Sequence, residues 1–452
     1  MRVVHVPFGY YPDAVGGTEV YVAELARGLA SRGVESVVAA PGSRPPNEHY
    51  EHDGVPVRRF DVGPSASVSE LYGDGDPAAA EAIGGILSDV RADVLHLHAL
   101  TRAASLRAAR VARRQGVAVA FTYHTPTASC VRGTLLHNGH EPCDGALIAQ
   151  RCTSCLLESH GVPLAVREAL SRAPSALGTA VGTAGVSGRW ATALRARELT
   201  VARHDAFRHL LREADAIVAV CEWVRSLLLR AGAVPSRLML SRQGTPHRRP
   251  TPREAGHSGD GVRLAFVGRL HPTKGVHVLV AALAQRRELP VTLDIYGVAQ
   301  GSDGAAYRDA LLADAAGDAR IRYRDPLPAD RVVDTLTEYD ATVVPSQWLE
   351  TGPLTVLESF SAGVPVIGSN LGGIAELVAH DRNGWLVPYA DVRAWGSALA
   401  HLATTRGLLD RLRAGVQRPR STDDVARDMV SVYESIIPRP VSRRLGEPVG
   451  MV

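Results

Sequence analysis

Short runs such as VVHV (3–6), SVVAA (36–40), VAVAF (117–121) and AIVAV (216–220) are apolar at almost every position. A strand with one wet face alternates polar and apolar residues. A run with no polar alternate must be covered on both faces, which is the setting of a strand inside a parallel sheet. In the first half the strand candidates are 2–7, 34–40, 55–61, 93–98, 117–123, 215–221 and 237–241, with helical periodicity at 18–32, 78–90 and 102–115. After a Pro-, Gly- and Ser-containing stretch at 245–262 the pattern restarts, and LAFVGRL, VTLDIYG, ATVVPS, PVIGS and GWLVP again alternate with helices. Strand–helix alternation of this kind predicts an α/β chain of two Rossmann-like, doubly wound parallel-sheet domains.

The predicted boundaries are 1–245 for the first domain, 246–262 for a linker and 263–418 for the second domain. Residues 419–437 read as a final helix with Val425, Met429, Val432 and Ile436 on one stripe, packing back on the first domain. The tail 438–452 shows no periodicity. Residues 125–165 interrupt the alternation and hold four of the five cysteines, so they read as an insertion.

Composition enters through its exclusions. Of 50 cationic residues one is lysine, Lys274, leaving 50 − 1 = 49 arginines against 47 acidic residues. A near-cancelling skew of this sort excludes reading scattered arginines as a nucleic-acid surface. Every apolar run is soon interrupted by charge or glycine, so no span is expected to cross a membrane. Few cysteines and no leader at the start predict a cytoplasmic protein. Basic helices at 102–115 and around Arg195–Arg212 leave a peripheral contact with the inner membrane face open.

The chemistry-bearing residues sit where such strands end. Strand 264–268 runs into Arg269 and Lys274 on one loop. Strand ATVVPS runs into Glu350-Thr-Gly-Pro-Leu-Thr-Val-Leu-Glu358, where Pro353 suits a first helical turn. Eight helical residues rise ~12 Å, about the span from a nucleotide's ribose to a sugar on its diphosphate. Carboxylates at both ends accept hydroxyl hydrogens, while backbone N–H groups near 351–355 and the two cations face phosphates. Gly16 and Gly17 allow close backbone approach before a helix for which Thr18 is the expected N-cap. His124 ends a buried strand at the ligand-binding edge.

On PSQWLETGPLTVLESFSAGVPVIGSNLGGIAELV, VGRLHPTKG and PDAVGGTEVYVAELARGLASRGV, the chain resembles the retaining glycosyltransferases of family 4. The resemblance implies a GT-B fold, two facing Rossmann-like domains with a deep cleft. It implies that Arg269 and Lys274 hold a donor diphosphate, Glu358 the ribose hydroxyls and Glu350 the transferred sugar. It places Thr351, Gly352, Leu354 and Thr355 along the donor, Gly16 and Gly17 over its phosphate, and His124 near the reacting carbon. His124, Arg269, Lys274 and Glu350 are the catalytic candidates. The expected partners are a nucleotide-diphosphate sugar and a hydroxyl acceptor, with no nucleic acid and no cofactor for catalysis. A sugar-nucleotide epimerase of the same fold and a non-catalytic sugar-nucleotide-binding protein are the alternatives.

The insertion carries Cys130-x12-Cys143-x8-Cys152-x2-Cys155. Four thiolates suit a structural zinc, or an iron–sulfur cluster, and the alternative is four reduced thiols in a loop. A related pattern occurs in a subset of the family. Placed directly after His124, the insertion is expected to shape acceptor recognition. Cys221 ends a buried strand and reads as a packed thiol.

Overall fold

The computed structural model describes residues 1–13, 16–42, 48–63, 67–185, 188–246 and 261–437. Most of the 246–262 segment and the whole 438–452 tail lie outside them. The first sheet holds β1 (Arg2–Val6), β2 (Glu35–Pro41), β3 (His49–His52), β4 (Val55–Phe60), β5 (Val94–Leu97) and β6 (Ala118–Tyr123). A hairpin of β7 (Leu136–His137) and β8 (Glu141–Pro142) follows, and β9 (Ala216–Ala219) and β10 (Leu238–Leu240) complete the sheet. Its order is β10-β9-β6-β5-β1-β2-β4-β3, parallel throughout except for β3. The second sheet holds β11 (Val262–Arg269), β12 (Val291–Val298), β13 (Ile321–Arg324), β14 (Ala341–Val344), β15 (Val366–Ser369) and β16 (Gly384–Val387). Its order is β13-β12-β11-β14-β15-β16, and every ladder is parallel.

The apolar runs are buried as parallel strands require: β5, β6, β9, β14 and β15 have no exposed residue. Both edge strands that carry no apolar run, HYEH in β3 and IRYR in β13, are largely solvent-facing. The first sheet is covered on both faces, one core running through Val4, Leu97, Phe121 and Phe207 and the other through Val3, Leu25, Leu29 and Val38. The second core also takes Val425, Met429, Val432 and Tyr433 of the Thr422–Ile436 helix. That helix packs on the Gly17–Ala30 helix, and its N-terminus is closed by Ser421 and Asp424.

Helices within and beyond the expected insertion form a lobe: Ala149–Ser159, Leu164–Arg172, Ser175–Thr183 and Arg189–Glu213. Their Ala-, Gly- and Arg-rich composition gives little periodic contrast, so the lobe extends past 165 without a clear sequence signal. No helix among the described residues is long and apolar enough to cross a membrane.

Strand order reverses between β1 and β5 in one sheet and between β11 and β14 in the other. Beyond a reversal, the two loops leave in opposite directions and open a crevice at the carboxyl ends of the strands. The loops after β1, β11 and β14 carry the glycine pair, the Arg269–Lys274 cations and Glu350.

Candidate active site

Lys274 lies in a one-turn helix, Pro272–Lys274, just past β11. Gly275 follows with φ 74°, and a Cβ there would stand 1.9 Å from the Pro345 carbonyl oxygen. Only glycine lets the loop approach the end of β14 this closely. The approach delivers Lys274 Nζ to Glu350 Oε1 at 2.6 Å, where Ser346 Oγ also donates at 2.7 Å. Burial opposes ionisation of Glu350, yet the Lys274 charge and these hydrogen bonds outweigh it and hold the carboxyl below its usual range. The Trp348 ring lies 5.5 Å from the same ammonium. Lys274 and Glu350, assigned separately to phosphate and sugar, thus meet as an ion pair. Arg269 is exposed at the end of β11. With burial as the larger cause, its charge and that of Lys274 lower the His271 imidazole, a sign of positive potential on this loop.

The helix after Glu350 spans Leu354–Ser361, so Pro353 stands at its cap position rather than inside its first turn. Thr355 Oγ1 donates to the Val267 carbonyl of β11 at 3.3 Å. Glu358, on the second turn, is half-buried, and burial pushes its carboxyl up to about 7. It lines a cavity of ≈ 40 Å³ with Tyr21, Glu24, Gly244, Leu354 and Thr422. A sugar-nucleotide needs several hundred Å³, so the domains are closed on one another here.

Cross-domain bonds account for the closure. Thr351 Oγ1 donates to the His124 carbonyl at 2.6 Å. The Glu350 carbonyl accepts from Trp223 Nε1 across the seam at 2.9 Å, and from the Gly373 N–H of its own domain at 2.7 Å. Glu376 accepts the N–H groups of Glu222 and Trp223 at 2.9 and 2.8 Å, at the positive start of the Glu222–Arg230 helix. It also pairs with Arg242 at 2.6 Å. Gly352 sits against Gln243, whose amide oxygen would be 2.3 Å from a Cβ on the glycine. Gln243 and Trp223 lie in no motif, and Glu376, although inside the GGIAELV stretch, is not singled out by it; the role of all three is visible only across the interface.

On the first domain, the Gly17–Ala30 helix starts one residue before the expected cap. Gly16 holds the cap position in place of Thr18, and the Glu19 carboxylate accepts the Gly16 N–H at 2.8 Å. A Cβ on Gly17 would meet Leu354 Cδ1 at 3.5 Å, so the glycine pair borders the Glu350–Glu358 segment. His124 is buried and neutral, its imidazole lowered by burial to about 3. Its Nε2 lies 3.1 Å from His98 Nδ1, and its Nδ1 3.5 Å from Gln243 Nε2. The Tyr21 ring stands 4.6 Å away. Together these contacts bring Gly17, His124, Lys274, Glu350, Thr351, Gly352, Leu354 and Glu358 to one seam, with Arg269 at its rim.

The cysteines do not join one another in the same way. All five are free. Cys152 is pushed up to about 12 by burial and by neighbouring Cys130 and Cys143. Cys155 instead faces the hairpin, its Sγ 3.3 Å from the Asn138 N–H and 3.7 Å from the Leu136 carbonyl. Among the described residues only His5, His96 and His98 bring three candidate ligand atoms within 4.8 Å of one another. Among the described residues no three of these Sγ atoms lie within 4.8 Å of one another, wider than a tetrahedral site with bonds of about 2.3 Å, and no step is derived through an ion there. Cys221 is a packed thiol, 3% exposed in the first core.

Comparison with known proteins matches residues 16–242 to a family model described as a glycosyl transferase 4-like domain. Residues 261–405 match a second, described as glycosyl transferases group 1. The D-inositol 3-phosphate glycosyltransferase of Thermobispora bispora is 28% identical over 427 residues, covering 89% of this chain and 85% of that protein. The protein of the same name from Acidothermus cellulolyticus is 27% identical over 459 residues, covering 96% and 90%. Among solved structures, sucrose-phosphate synthase from Thermosynechococcus elongatus superposes with a TM-score of 0.66 at 20% identity, covering 96% of this chain and 98% of that one. Anabaena HepE in complex with UDP and glucose gives 0.63 at 14% identity, covering 96% and 100%. At such identities the structures speak to the fold, and that fold is GT-B.

Proposed function

The chain belongs to the glycosyltransferase family whose 4-like and group 1 domains it matches, and from that premise we propose that it moves a sugar from a nucleotide-diphosphate donor to a hydroxyl acceptor with retention of configuration. The observation that carries this reading is the Lys274–Glu350 pair, set at a sheet reversal and bonded through Thr351 to the backbone of His124. Lys274 and Arg269 supply positive charge for a diphosphate. Glu350 supplies an ionised carboxylate for sugar hydroxyls. Glu358, in the cavity beside Tyr21 and Gly244, supplies a second acceptor for the ribose.

In this reading the donor's anomeric carbon–oxygen bond breaks and the acceptor oxygen bonds to that carbon on the same face. Negative charge gathers on the departing diphosphate, where Arg269, Lys274 and the start of the Leu354 helix stabilise it in place. The acceptor proton passes to the leaving phosphate oxygen. His124 is neutral with both ring nitrogens engaged, so no general base is assigned to it. The ≈ 40 Å³ cavity requires the two domains to part before a donor enters.

A thermal-shift screen of nucleoside diphosphates finds the base, because a ligand of the folded state raises the melting temperature by mass action. UDP heads the panel, since it occupies the similar HepE structure. Inositol 3-phosphate heads the acceptor panel, following the names of the similar proteins. The anomeric configuration of the product is then read by NMR. An inverted product refutes retention, and isomerised donor without any acceptor refutes transfer in favour of epimerisation.

A further inference from the structure

Three buried histidines form one hydrogen-bonded file across four neighbouring strands. Ser36 Oγ in β2 lies 3.3 Å from His5 Nε2 in β1. His5 Nδ1 lies 3.1 Å from His98 Nε2, just past β5. His98 Nδ1 lies 3.1 Å from His124 Nε2, just past β6, and His124 Nδ1 ends the file against Gln243 Nε2. All three rings are at most 5% exposed. His96 lies beneath, its ring 3.9 Å from that of His98, with both nitrogens already bonded, to Tyr433 and to Thr122 at 2.7 Å each.

A neutral imidazole owns one N–H and one lone pair. At each junction between two rings, one nitrogen must donate and the other accept. Fixing the proton on any one ring therefore fixes the other two, and all three must carry it on the same atom. Burial holds His5 and His124 down to about 3 and His98 well below its usual value, so the rings stay neutral and this counting applies. The two ends of the file are unlike. Ser36 can donate or accept, whereas Gln243 Nε2 can only donate. Its donation makes His124 Nδ1 an acceptor. The proton of His124 then lies on Nε2 and is given to His98, that of His98 is given to His5, and that of His5 to Ser36.

We propose that the Ser36–His5–His98–His124–Gln243 file is a tautomer lock, which fixes the proton on Nε2 of all three rings and leaves His124 Nδ1 as a lone pair on the side of Gln243 and the Thr351–Gly352 loop. His124 then meets substrate as a hydrogen-bond acceptor, for a hydroxyl that displaces the long 3.5 Å contact from Gln243. His98 and His5 are positioning residues. A bound cation at His5, His96 and His98 is the competing use of this cluster, but it would have to displace partners from nitrogens that are already bonded. The effect on turnover rests on the active-site reading of His124, while the proton order does not.

Full-length protein labelled with 15N-histidine tests the order directly, because long-range 1H–15N correlation distinguishes protonated Nε2 from protonated Nδ1. Wild-type spectra are expected to show His5, His98 and His124 as Nε2–H tautomers. Gln243→Glu replaces the donor by an acceptor, and all three rings should switch together to Nδ1–H. Mixed tautomers in the wild type, or a switch confined to His124, overturn the lock. The kinetic arm uses His98→Leu and His98→Gln. Leucine cuts the file and is expected to lower kcat about tenfold while donor KM stays put, the size of one lost buried hydrogen bond. Glutamine keeps one donor and one acceptor in line and should restore kcat. Equal impairment of both variants overturns the positioning role even if the spectra are as expected. Correct spectra with no kcat effect in either variant would instead remove His124 from the active site.

Discussion

The two walls of the cleft are made of opposite electrostatic material. The second domain contributes charge, with Lys274 and Glu350 as a close pair and Arg269 at the rim, while burial alone raises the Glu358 carboxyl. The first contributes polar groups from which burial has removed charge, a file of neutral imidazoles joined by hydrogen bonds. Buried charge persists only where a counter-charge sits beside it; a buried imidazole simply gives up its proton. The contrast fits the task proposed for each wall. A departing diphosphate needs fixed charge, whereas hydroxyl groups need oriented donors and acceptors that do not protonate.

Breaking the charged wall should have the largest effect. Lys274→Met is expected to lower turnover by about a hundredfold or more, as when a main transition-state donor is lost. It also leaves Glu350 buried without its cation, at a cost of about 3 kcal/mol in urea unfolding. Lys274→Met/Glu350→Gln should regain that stability and none of the turnover. Near-wild-type rates for the single variant would erase the distinction between the walls. Lys274→Arg tests whether the one lysine among 49 arginines is there for its compact ammonium, and full activity would say it is not.

Loosening the seam between the walls should matter less. Glu376→Ala removes the acceptor for two N–H groups and the partner of Arg242. A loss of about 1–3 kcal/mol is expected, with a larger radius of gyration in small-angle scattering. An unchanged radius would mean that Thr351 and Trp223 hold the closure by themselves.

The smallest effect sharpens the comparison through pH. The Glu358 carboxyl is raised in the fold, from 4.5 to about 7, so its burial costs nothing while it is protonated in both states. Stability is therefore full below about pH 4.5 and declines as pH rises through about 7. Glu358→Gln should melt higher than wild type at pH 8 and alike at pH 4. Parallel melting curves across that range would show that Glu358 ionises freely in the closed protein.

Much of the fold was legible because parallel strands must be apolar on both faces, and that leaves an unmistakable local pattern. β3 and β13 escaped because edge strands need no such pattern. Glu350, Lys274 and His124 were legible as polar residues at the ends of apolar runs. Their mutual contacts were not. His5 and His98 are 93 residues apart, His98 and His124 are 26 apart, and nothing in their spacing distinguishes a file from three separate core histidines. Gln243 lies in no motif. Four cysteines in one insertion suggested convergence, and spacing alone did not show that Cys155 Sγ would meet the Asn138 N–H and the Leu136 carbonyl of the hairpin.

By itself, then, the sequence determined the doubly wound architecture, since burial on both faces and helical amphipathicity are written residue by residue. Tertiary structure decided that Lys274 would pair with Glu350, that His124 would sit between His98 and Gln243, and that the cleft would close on Glu376. Each of those outcomes depends on distances of about 3 Å between segments far apart in the chain, where electrostatics and hydrogen bonding act and where composition and periodicity carry no information.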